Sequence, residues 1–300
     1  MAPLIILMYA LFASSFIFGK ILVGMTTPFF LTGIRMFIAG VLLLSYQYFW
    51  KKHTFTFPKD HLWLYTQIIV MGIYFAYALR FWGLDYLSAS KTALLFNASP
   101  FYAAFYSYIF FKERLTKKQW LGLFIGICGL IPILITSSAE EQNIGEFLFL
   151  SWPEIAILVS VGLHSYSWIC VRKLIKSKKQ DIIVVNGITM LCAGILALVT
   201  SPLIEGPQSI TDWYEFGSTL AAVILVSNVI CFNLYGYLLK HYSPTLLSFA
   251  GFLVPIFTAF YSWILWNITL TWHFYLSMII VFIGLYIFYQ DELKQALKYS

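Results

Sequence analysis

The 300-residue sequence contains few charged residues. Charged side chains make up 11% of the chain and hydrophobic ones 60%, whereas an ordinary soluble domain has about 25% charged residues. A soluble chain of this length could not hide so much apolar surface from water. The composition therefore predicts an integral membrane protein and excludes an ordinary soluble enzyme.

Cysteine pairs and nucleotide-binding motifs are also lacking. The four cysteines, Cys128, Cys170, Cys192 and Cys231, lie in apolar stretches, and none forms a CxxC pair or has a histidine at ligand spacing. Cysteines in such surroundings are typical of packed cores, so we expect no disulfide framework, no metal site and no cofactor. The sequence has no GxxxxGK[ST] loop, which excludes direct ATP hydrolysis by this chain.

Long apolar runs fill most of the sequence. A helix needs about 20 apolar residues to cross the hydrocarbon core of a bilayer, and the polar interruptions divide the chain into ten such runs. We number these predicted spans 1 to 10: 3–23, 29–50, 61–83, 88–111, 119–137, 152–171, 182–201, 216–239, 243–266 and 271–290. The predicted fold is an all-α integral membrane protein with ten transmembrane helices.

The connections between the spans alternate in charge. Residues 51–60, 112–118 and 172–181 are basic, whereas residues 137–147 and 203–215 are acidic and contain no Lys or Arg. We call the two faces defined by these loops the basic side and the acidic side. Because positively charged loops stay in the cytoplasm, we expect both termini to be cytoplasmic, in a multi-pass protein of the inner membrane. The basic loops also explain the net charge of +6 without a nucleic-acid partner.

The second half of the chain repeats the first at an offset of 155 residues. Residues 99–130 align without a gap with residues 254–285, so that Pro100 matches Pro255 and the block AFYS recurs. Five spans per half is an odd number, so the second half enters the membrane upside down. The first copy has KERLTKK where the second has NITLTWH, as charge-directed insertion of an inverted copy requires.

The repeat predicts the domain organisation and a class of function. Two inverted five-helix repeats, 1–137 and 152–290, are expected to flank an external acidic linker, 138–151, with a cytoplasmic tail at 291–300. Inverted repeats are typical of secondary transporters, in which the two halves enclose a solute site near the bilayer midplane. Pro100 and Pro255 would kink spans 4 and 9, either to form a gate or only to shape the packing. The glycines of span 5, Gly122 to Gly129, favour close helix packing within or between chains.

Several of these features together resemble a known family. The proline of span 4, the Glu113-Arg114-Leu115 that follows it, the glycine-bearing span 5 and Arg35 in GIRMFIAG are similar to the EamA-type transporters of the drug/metabolite transporter superfamily. The resemblance covers the whole chain. It implies a carrier of amino acids, nucleotide-linked metabolites, drugs or other small solutes, with a cavity lined mainly by spans 1, 3, 4, 6, 8 and 9.

Polar residues inside the spans are candidate substrate ligands, because polar groups at this depth face protein or a wet cavity. Arg80 and Lys91 flank one short turn on the acidic side, and we expect them to form an electropositive vestibule for a carboxylate or phosphate. Snorkelling, or an ion pair with Asp85, is the alternative. The other candidates are Tyr77, Asn97, His164, Trp168, Asn228 and Tyr235. Interhelical hydrogen bonding is the alternative for the asparagines, and His164 is either structural or a proton carrier.

The predicted function is secondary transport of a small polar or amphipathic metabolite by alternating access. A cationic and aromatic lumen favours an amino acid or an amino-acid-derived metabolite such as S-adenosylmethionine. A drug or toxic-metabolite exporter is the alternative. A membrane-embedded enzyme or a lipid scramblase fits less well, because the spans contain no acid pair and the histidines are dispersed. The expected partners are the lipid bilayer, a small-molecule substrate, and a proton or a counter-substrate.

Overall fold

The predicted spans are helical in the computed structural model. The structure describes residues 2–50, 61–111, 116–135, 143–147, 150–177, 180–208, 210, 212–242, 247–248, 250–267 and 270–298. The Glu113-Arg114-Leu115 motif, half of the linker 138–151 and the last two residues of the tail lie outside these ranges.

The bounds of the spans follow the polar interruptions of the sequence. Spans 1, 2, 7 and 10 are the helices Ala2–Val23, Pro28–Phe49, Ile182–Glu205 and Trp272–Lys298. Spans 3, 5, 6 and 8 each consist of two or three helical segments. Span 3 is Leu62–Gln67, Ile68–Phe75 and Ala76–Tyr86, and span 5 is Lys117–Cys128 and Ile131–Leu134. Span 6 is Trp152–Arg172 and Lys173–Ser177, and span 8 is Trp213–Val223, Ile224–Cys231 and Phe232–Leu238. A short antiparallel pair, Glu146–Phe147 with Leu150–Ser151, precedes span 6.

Seven helices in the described part of the chain are long and apolar enough to cross a membrane. They correspond to spans 1, 2, 3, 5, 6, 7 and 8. Spans 4 and 9 are apolar but interrupted, and the apolar part of span 10 is Trp272–Phe288. The all-α membrane architecture predicted from the sequence is confirmed.

Spans 4 and 9 are broken at equivalent points. In span 4 a single 3-10 turn, Phe96–Ala98, separates the helices Ala89–Leu95 and Ser99–Phe111. In span 9 a turn at Gly251 and Phe252 precedes the helix Leu253–Trp266. The two breaks are related by the same 155-residue offset as the sequence repeat.

The matched prolines account for these breaks. Pro100 and Pro255 have no N–H to donate to the carbonyl four residues upstream, which belongs to Phe96 in span 4 and to Gly251 in span 9. Each carbonyl instead accepts a tighter bond from the residue three positions on, the Ser99 N–H in span 4 and the Val254 N–H in span 9, at 2.9 Å.

Spans 3 and 8 also carry matching irregularities. The segments Ile68–Phe75 and Ile224–Cys231 are π-helical, and they occupy equivalent positions in the two repeats. π-Helical turns are frequent at functional sites. In span 3 the segment contains Gly72, where any Cβ would overlap the side chain of Ser167 in span 6, so glycine permits the close approach of these two spans.

The two halves pack together through equivalent pairs of spans. Span 2 packs on span 7, and span 5 packs on span 10. A Cβ at Gly40 in span 2 would lie 2.5 Å from the backbone nitrogen of Leu191 in span 7, and a Cβ at Gly122 in span 5 would overlap the Gly284 carbonyl in span 10. The small-residue face of span 5 therefore packs within the chain, which decides between the two alternatives left by the sequence.

Candidate functional site

A cavity of about 110 Å³ lies beside the breaks of spans 4 and 9. This volume is below the range of about 300–1,000 Å³ that small-molecule sites occupy, so a metabolite could enter only if the surrounding spans moved apart. The lining comes from spans 1, 3, 4, 6, 8 and 9, the six that the family resemblance implies. The lining residues are Tyr9, Phe12, Ser15, Phe16, Tyr77, Arg80, Phe96, Ser99, Ala103, His164, Ser165, Trp168, Phe232, Tyr235, Ser248, Gly251 and Val254.

Arg80 supplies the positive charge of the cavity. Its guanidinium carbon lies 4.1 Å from the ring centroid of Phe96, 4.6 Å from that of Tyr77 and 5.7 Å from that of Phe16. Its Nε is buried without a hydrogen-bond partner, and within the described ranges no carboxylate pairs with it. The three rings stabilise the cation through their faces. The guanidinium therefore remains available to an anion that enters the cavity.

Trp168, Phe232 and Tyr235 line the cavity as one packed group of rings, which we call the aromatic wall. The ring centroid of Trp168 lies 4.3 Å from that of Tyr235 and 5.4 Å from that of Phe232. The indole Nε1 of Trp168 donates a hydrogen bond to Nε2 of His164 at 3.0 Å. Because the protein already engages this N–H, Trp168 presents no free donor to a ligand.

His164 supports the aromatic wall through this bond. Its Nε2 is the acceptor, so the neutral ring carries its proton on Nδ1. Nδ1 is buried and has no partner of good hydrogen-bond geometry among the described residues. The ring also packs edge-on against Tyr77, with centroids 5.9 Å apart. The structure thus places His164 between Trp168 and the Arg80 end of the cavity.

The cavity brings together five of the eight residues that the sequence analysis proposed as ligands. Arg80, Tyr77, His164, Trp168 and Tyr235 all line it. All five lie in spans 3, 6 or 8, which are among the spans that the resemblance implies as the cavity lining.

Lys91 lies away from the cavity lining and has an acidic partner. Its Nζ is 2.7 Å from Oε1 of Glu154 at the start of span 6, and the two side chains are 7% and 1% exposed. The sequence analysis considered Asp85 as the partner, because Asp85 is close in sequence and Glu154 is not. Lys91 therefore links spans 4 and 6, and the structure does not place it beside Arg80 in a vestibule.

The two asparagines also lie outside the lining. Asn228 accepts a hydrogen bond from Nε of Arg35 at 2.7 Å, and Arg35 donates a second bond to Ser227 at 2.8 Å. Arg35 is only 2% exposed, and these bonds join span 2 to the π-helical segment of span 8. Asn97 is buried in the 3-10 turn of span 4. Interhelical hydrogen bonding, the alternative that the sequence analysis gave for the asparagines, describes the position of Asn228.

Sequence reasoning missed the cavity residues of spans 1 and 9. Phenylalanines and serines in an apolar helix carry no periodic signal that separates a cavity face from a lipid face. One signal was present: Phe96 and Gly251 each precede a matched proline by four residues, so they mark the breaks around which the cavity forms. The residues concerned in spans 1 and 9 are Tyr9, Phe12, Ser15, Phe16, Ser248, Gly251 and Val254.

The arrangement agrees with the comparisons to known proteins. The model of the EamA-like transporter family matches residues 1–135 and residues 151–290, one match for each repeat. The chain belongs to the EamA-like transporter family. This membership confirms the predictions of a multi-pass membrane transporter and of a function other than catalysis.

Two chlamydial proteins are similar to this EamA-like transporter over nearly all of their length. The relative from Chlamydia muridarum (strain MoPn / Nigg), named S-adenosylmethionine/S-adenosylhomocysteine transporter, is 32% identical over 97% of this chain and 92% of its own. The relative of the same name from Chlamydia trachomatis serovar L2 is 30% identical over 97% of this chain and 90% of its own. A solved crystal structure superposes with a TM-score of 0.68 at 16% identity, over 95% of this chain and 93% of that one, which supports the fold alone.

Proposed function

We propose that this EamA-like transporter carries an amino-acid-derived metabolite, with S-adenosylmethionine and S-adenosylhomocysteine as its substrates. The observation that carries the proposal is the Arg80 guanidinium, which faces the cavity without a carboxylate partner among the described residues. A buried charge is costly unless it is paired. A ligand carboxylate would supply the missing partner through charge-assisted, bidentate hydrogen bonds. The names of the two chlamydial relatives support this choice of substrate.

The remaining cavity groups suit the other parts of such a ligand. Adenine is planar and can stack on aromatic rings, which the cavity offers on several sides. Ser15, Ser99, Ser165 and Ser248 line the same space and can bond ribose hydroxyls or adenine nitrogens. An exporter of apolar drugs would use the aromatic faces alone and would leave Arg80 unpaired, so the amino-acid derivative is favoured.

We further propose alternating access with exchange of one substrate for a counter-substrate. The inverted repeats and the breaks before Pro100 and Pro255 support a rocking motion in which spans 4 and 9 bend as gates. An unpaired Arg80 opposes closure of an empty cavity, which favours exchange over one-way movement. The charge pattern of the loops supports an inner-membrane protein whose repeats, 1–137 and 152–290, have opposite orientations and whose termini are both cytoplasmic.

The test of the proposed substrate measures binding to the detergent-purified protein by calorimetry and thermal shift. S-adenosylmethionine and S-adenosylhomocysteine should both bind and raise the melting temperature. Arg80→Gln should weaken the binding of both compounds by about tenfold or more, because a hydrogen bond to a charged group contributes about 1.5–3 kcal/mol. The control variant is Lys117→Gln on the exposed start of span 5, which should bind as the wild type does.

A control ligand separates loss of the carboxylate contact from general damage to the site. 5′-Methylthioadenosine has the adenosine and thioether groups but no carboxylate, so its weaker affinity should be the same in the wild type and in Arg80→Gln. If the wild-type protein binds neither S-adenosyl compound, the proposed substrates are wrong. If both bind and Arg80→Gln leaves them unaffected, the carboxylate does not lie at Arg80.

A further inference from the structure

The cavity already holds one cation on aromatic faces. Arg80 lies over the rings of Phe16, Tyr77 and Phe96, and no Asp or Glu is among the lining residues of the described chain. The site thus stabilises a positive charge without a carboxylate, through the negative faces of aromatic rings. These three rings already lie beside the positive charge of Arg80, which would repel a second cation placed there.

The aromatic wall offers a second set of faces. Trp168, Phe232 and Tyr235 border the cavity, and their exposures of 7%, 5% and 7% show that they are held in a packed layer. The indole N–H of Trp168 is engaged by His164. A ligand therefore meets Trp168 as an aromatic ring without a competing N–H donor.

The two proposed substrates differ in charge at one atom. S-Adenosylmethionine carries a methyl group on a positively charged sulfonium, whereas the sulfur of S-adenosylhomocysteine is a neutral thioether. With the carboxylate at Arg80, the sulfonium needs a compensating group elsewhere, because Arg80 repels it and the described lining has no acidic side chain. The faces of the aromatic wall are the groups in the cavity that attract such a cation.

We propose, on the basis of the proposed function, that the aromatic wall of Trp168, Phe232 and Tyr235 binds the ligand sulfonium and sets the preference for S-adenosylmethionine over S-adenosylhomocysteine. Trp168 is the specificity-determining residue, because its indole has the strongest cation-binding face of the three. His164 is a positioning residue: its Nε2 accepts the indole N–H and so fixes the orientation of the Trp168 ring in the cavity lining.

The experiment measures the dissociation constants of both ligands by calorimetry in the wild type, Trp168→Leu and Trp168→Phe. Trp168→Leu should weaken S-adenosylmethionine by about tenfold and S-adenosylhomocysteine much less, because only the former loses a cation–π contact. Trp168→Phe keeps a ring face and should retain most of the preference. Trp120→Leu removes an exposed indole on span 5 and should leave both constants unchanged.

Further variants keep the proposal testable if Trp168→Leu does not fold. Phe232→Leu should lower the ratio of the affinity for S-adenosylmethionine to the affinity for S-adenosylhomocysteine, as Trp168→Leu should. His164→Ala frees the indole and should also lower the ratio, whereas a purely structural histidine would lower the melting temperature and leave the ratio unchanged. An equal loss of affinity for both ligands in Trp168→Leu would mean that the indole stacks on adenine and would overturn the inference. Absence of binding of either ligand to the wild type would instead reject the proposed function.

Discussion

At the scale of single residues, the intramembrane cations of this transporter differ in the partners they have. Lys20 donates to the carbonyls of Leu84 at 2.9 Å and Asp85 at 2.6 Å, at the end of span 3. Lys91 pairs with Glu154, whereas Arg80 faces the cavity without an acidic partner in the described part of the chain. A partner that neutralises the charge is typical of a structural cation, and the unpaired guanidinium of Arg80 is the reason why we propose it as the ligand site.

The Lys91–Glu154 pair provides a prediction about stability. Glu154→Gln removes the charge but keeps an oxygen that can accept the Ser151 N–H, as Oε2 of Glu154 does at 2.8 Å. It should destabilise the fold by about 3–5 kcal/mol, because it leaves a buried ammonium uncompensated. The double variant Lys91→Met with Glu154→Gln should recover much of that loss. Melting temperatures in detergent measure this order of stability among the wild type, the single variant and the double variant.

The exposed Lys117 is the control for this pair. Lys117→Met should leave the melting temperature close to that of the wild type, because the side chain is in contact with solvent or headgroups. If Glu154→Gln melted like the wild type, the ion pair would contribute nothing to stability. If the double variant were no more stable than Glu154→Gln, the loss would come from packing and not from charge.

A polar side chain that stands out in an apolar helix can be singled out from the sequence alone. Arg80, His164 and Trp168 were proposed in this way, and all three line the cavity, while their roles in binding stay predictions. Glu154 was missed because its partner lies in another repeat, 63 positions away in the chain, and no local pattern joins them. The phenylalanines and serines of spans 1 and 9 were missed because their direction depends on how ten helices pack.

At the scale of helices, glycine decides which spans can touch. Gly122→Val would force a side chain into the Gly284 carbonyl of span 10, and overpacking of this kind costs about 1–3 kcal/mol or more. We expect a lower melting temperature and poorer yield of folded protein. Gly217→Ala in span 8 is the matched control, because nothing lies within 4 Å of the added Cβ, and it should be neutral or stabilising by up to about 1 kcal/mol. Equal melting temperatures for both variants would contradict the role of the span 5 glycines.

The sequence predicts the presence of helices and their interruptions to different extents. The ten spans follow from apolar length, and the breaks in spans 4 and 9 follow from proline chemistry. The π-helical segments Ile68–Phe75 and Ile224–Cys231 had no such signal, because neither contains a proline. They depend on contacts between spans, such as the bonds from Arg35 to Ser227 and Asn228, which arise only in the assembled fold.

At the scale of the whole molecule, the pseudo-symmetry extends from the sequence to the packing. Span 1 packs on span 9 as span 6 packs on span 4. When the two halves are exchanged, the packed pair of spans 2 and 7 is mapped onto itself, and so is the pair of spans 5 and 10. Two similar halves can adopt two similar arrangements, which is the structural basis of alternating access. The residues that break the symmetry, Arg80 in span 3 above all, are the ones to which we assign the chemical preference of the proposed site.

This asymmetry predicts how transport depends on the ligand. To return empty, the carrier must close its cavity over the Arg80 guanidinium, and a desolvated unpaired ion costs several kcal/mol. A bound carboxylate removes that cost. Proteoliposomes preloaded with S-adenosylhomocysteine should therefore take up labelled S-adenosylmethionine about tenfold faster, or more, than empty ones.

Arg80→Gln tests the cause of this difference. At ligand concentrations high enough to compensate for weaker binding, the variant should show similar uptake into preloaded and empty vesicles, because a neutral amide no longer penalises closure of the empty cavity. Lys117→Gln should keep the wild-type ratio. Equal uptake into preloaded and empty vesicles by the wild type would contradict exchange. A preserved ratio in Arg80→Gln would show that another group, and not this guanidinium, prevents the empty carrier from returning.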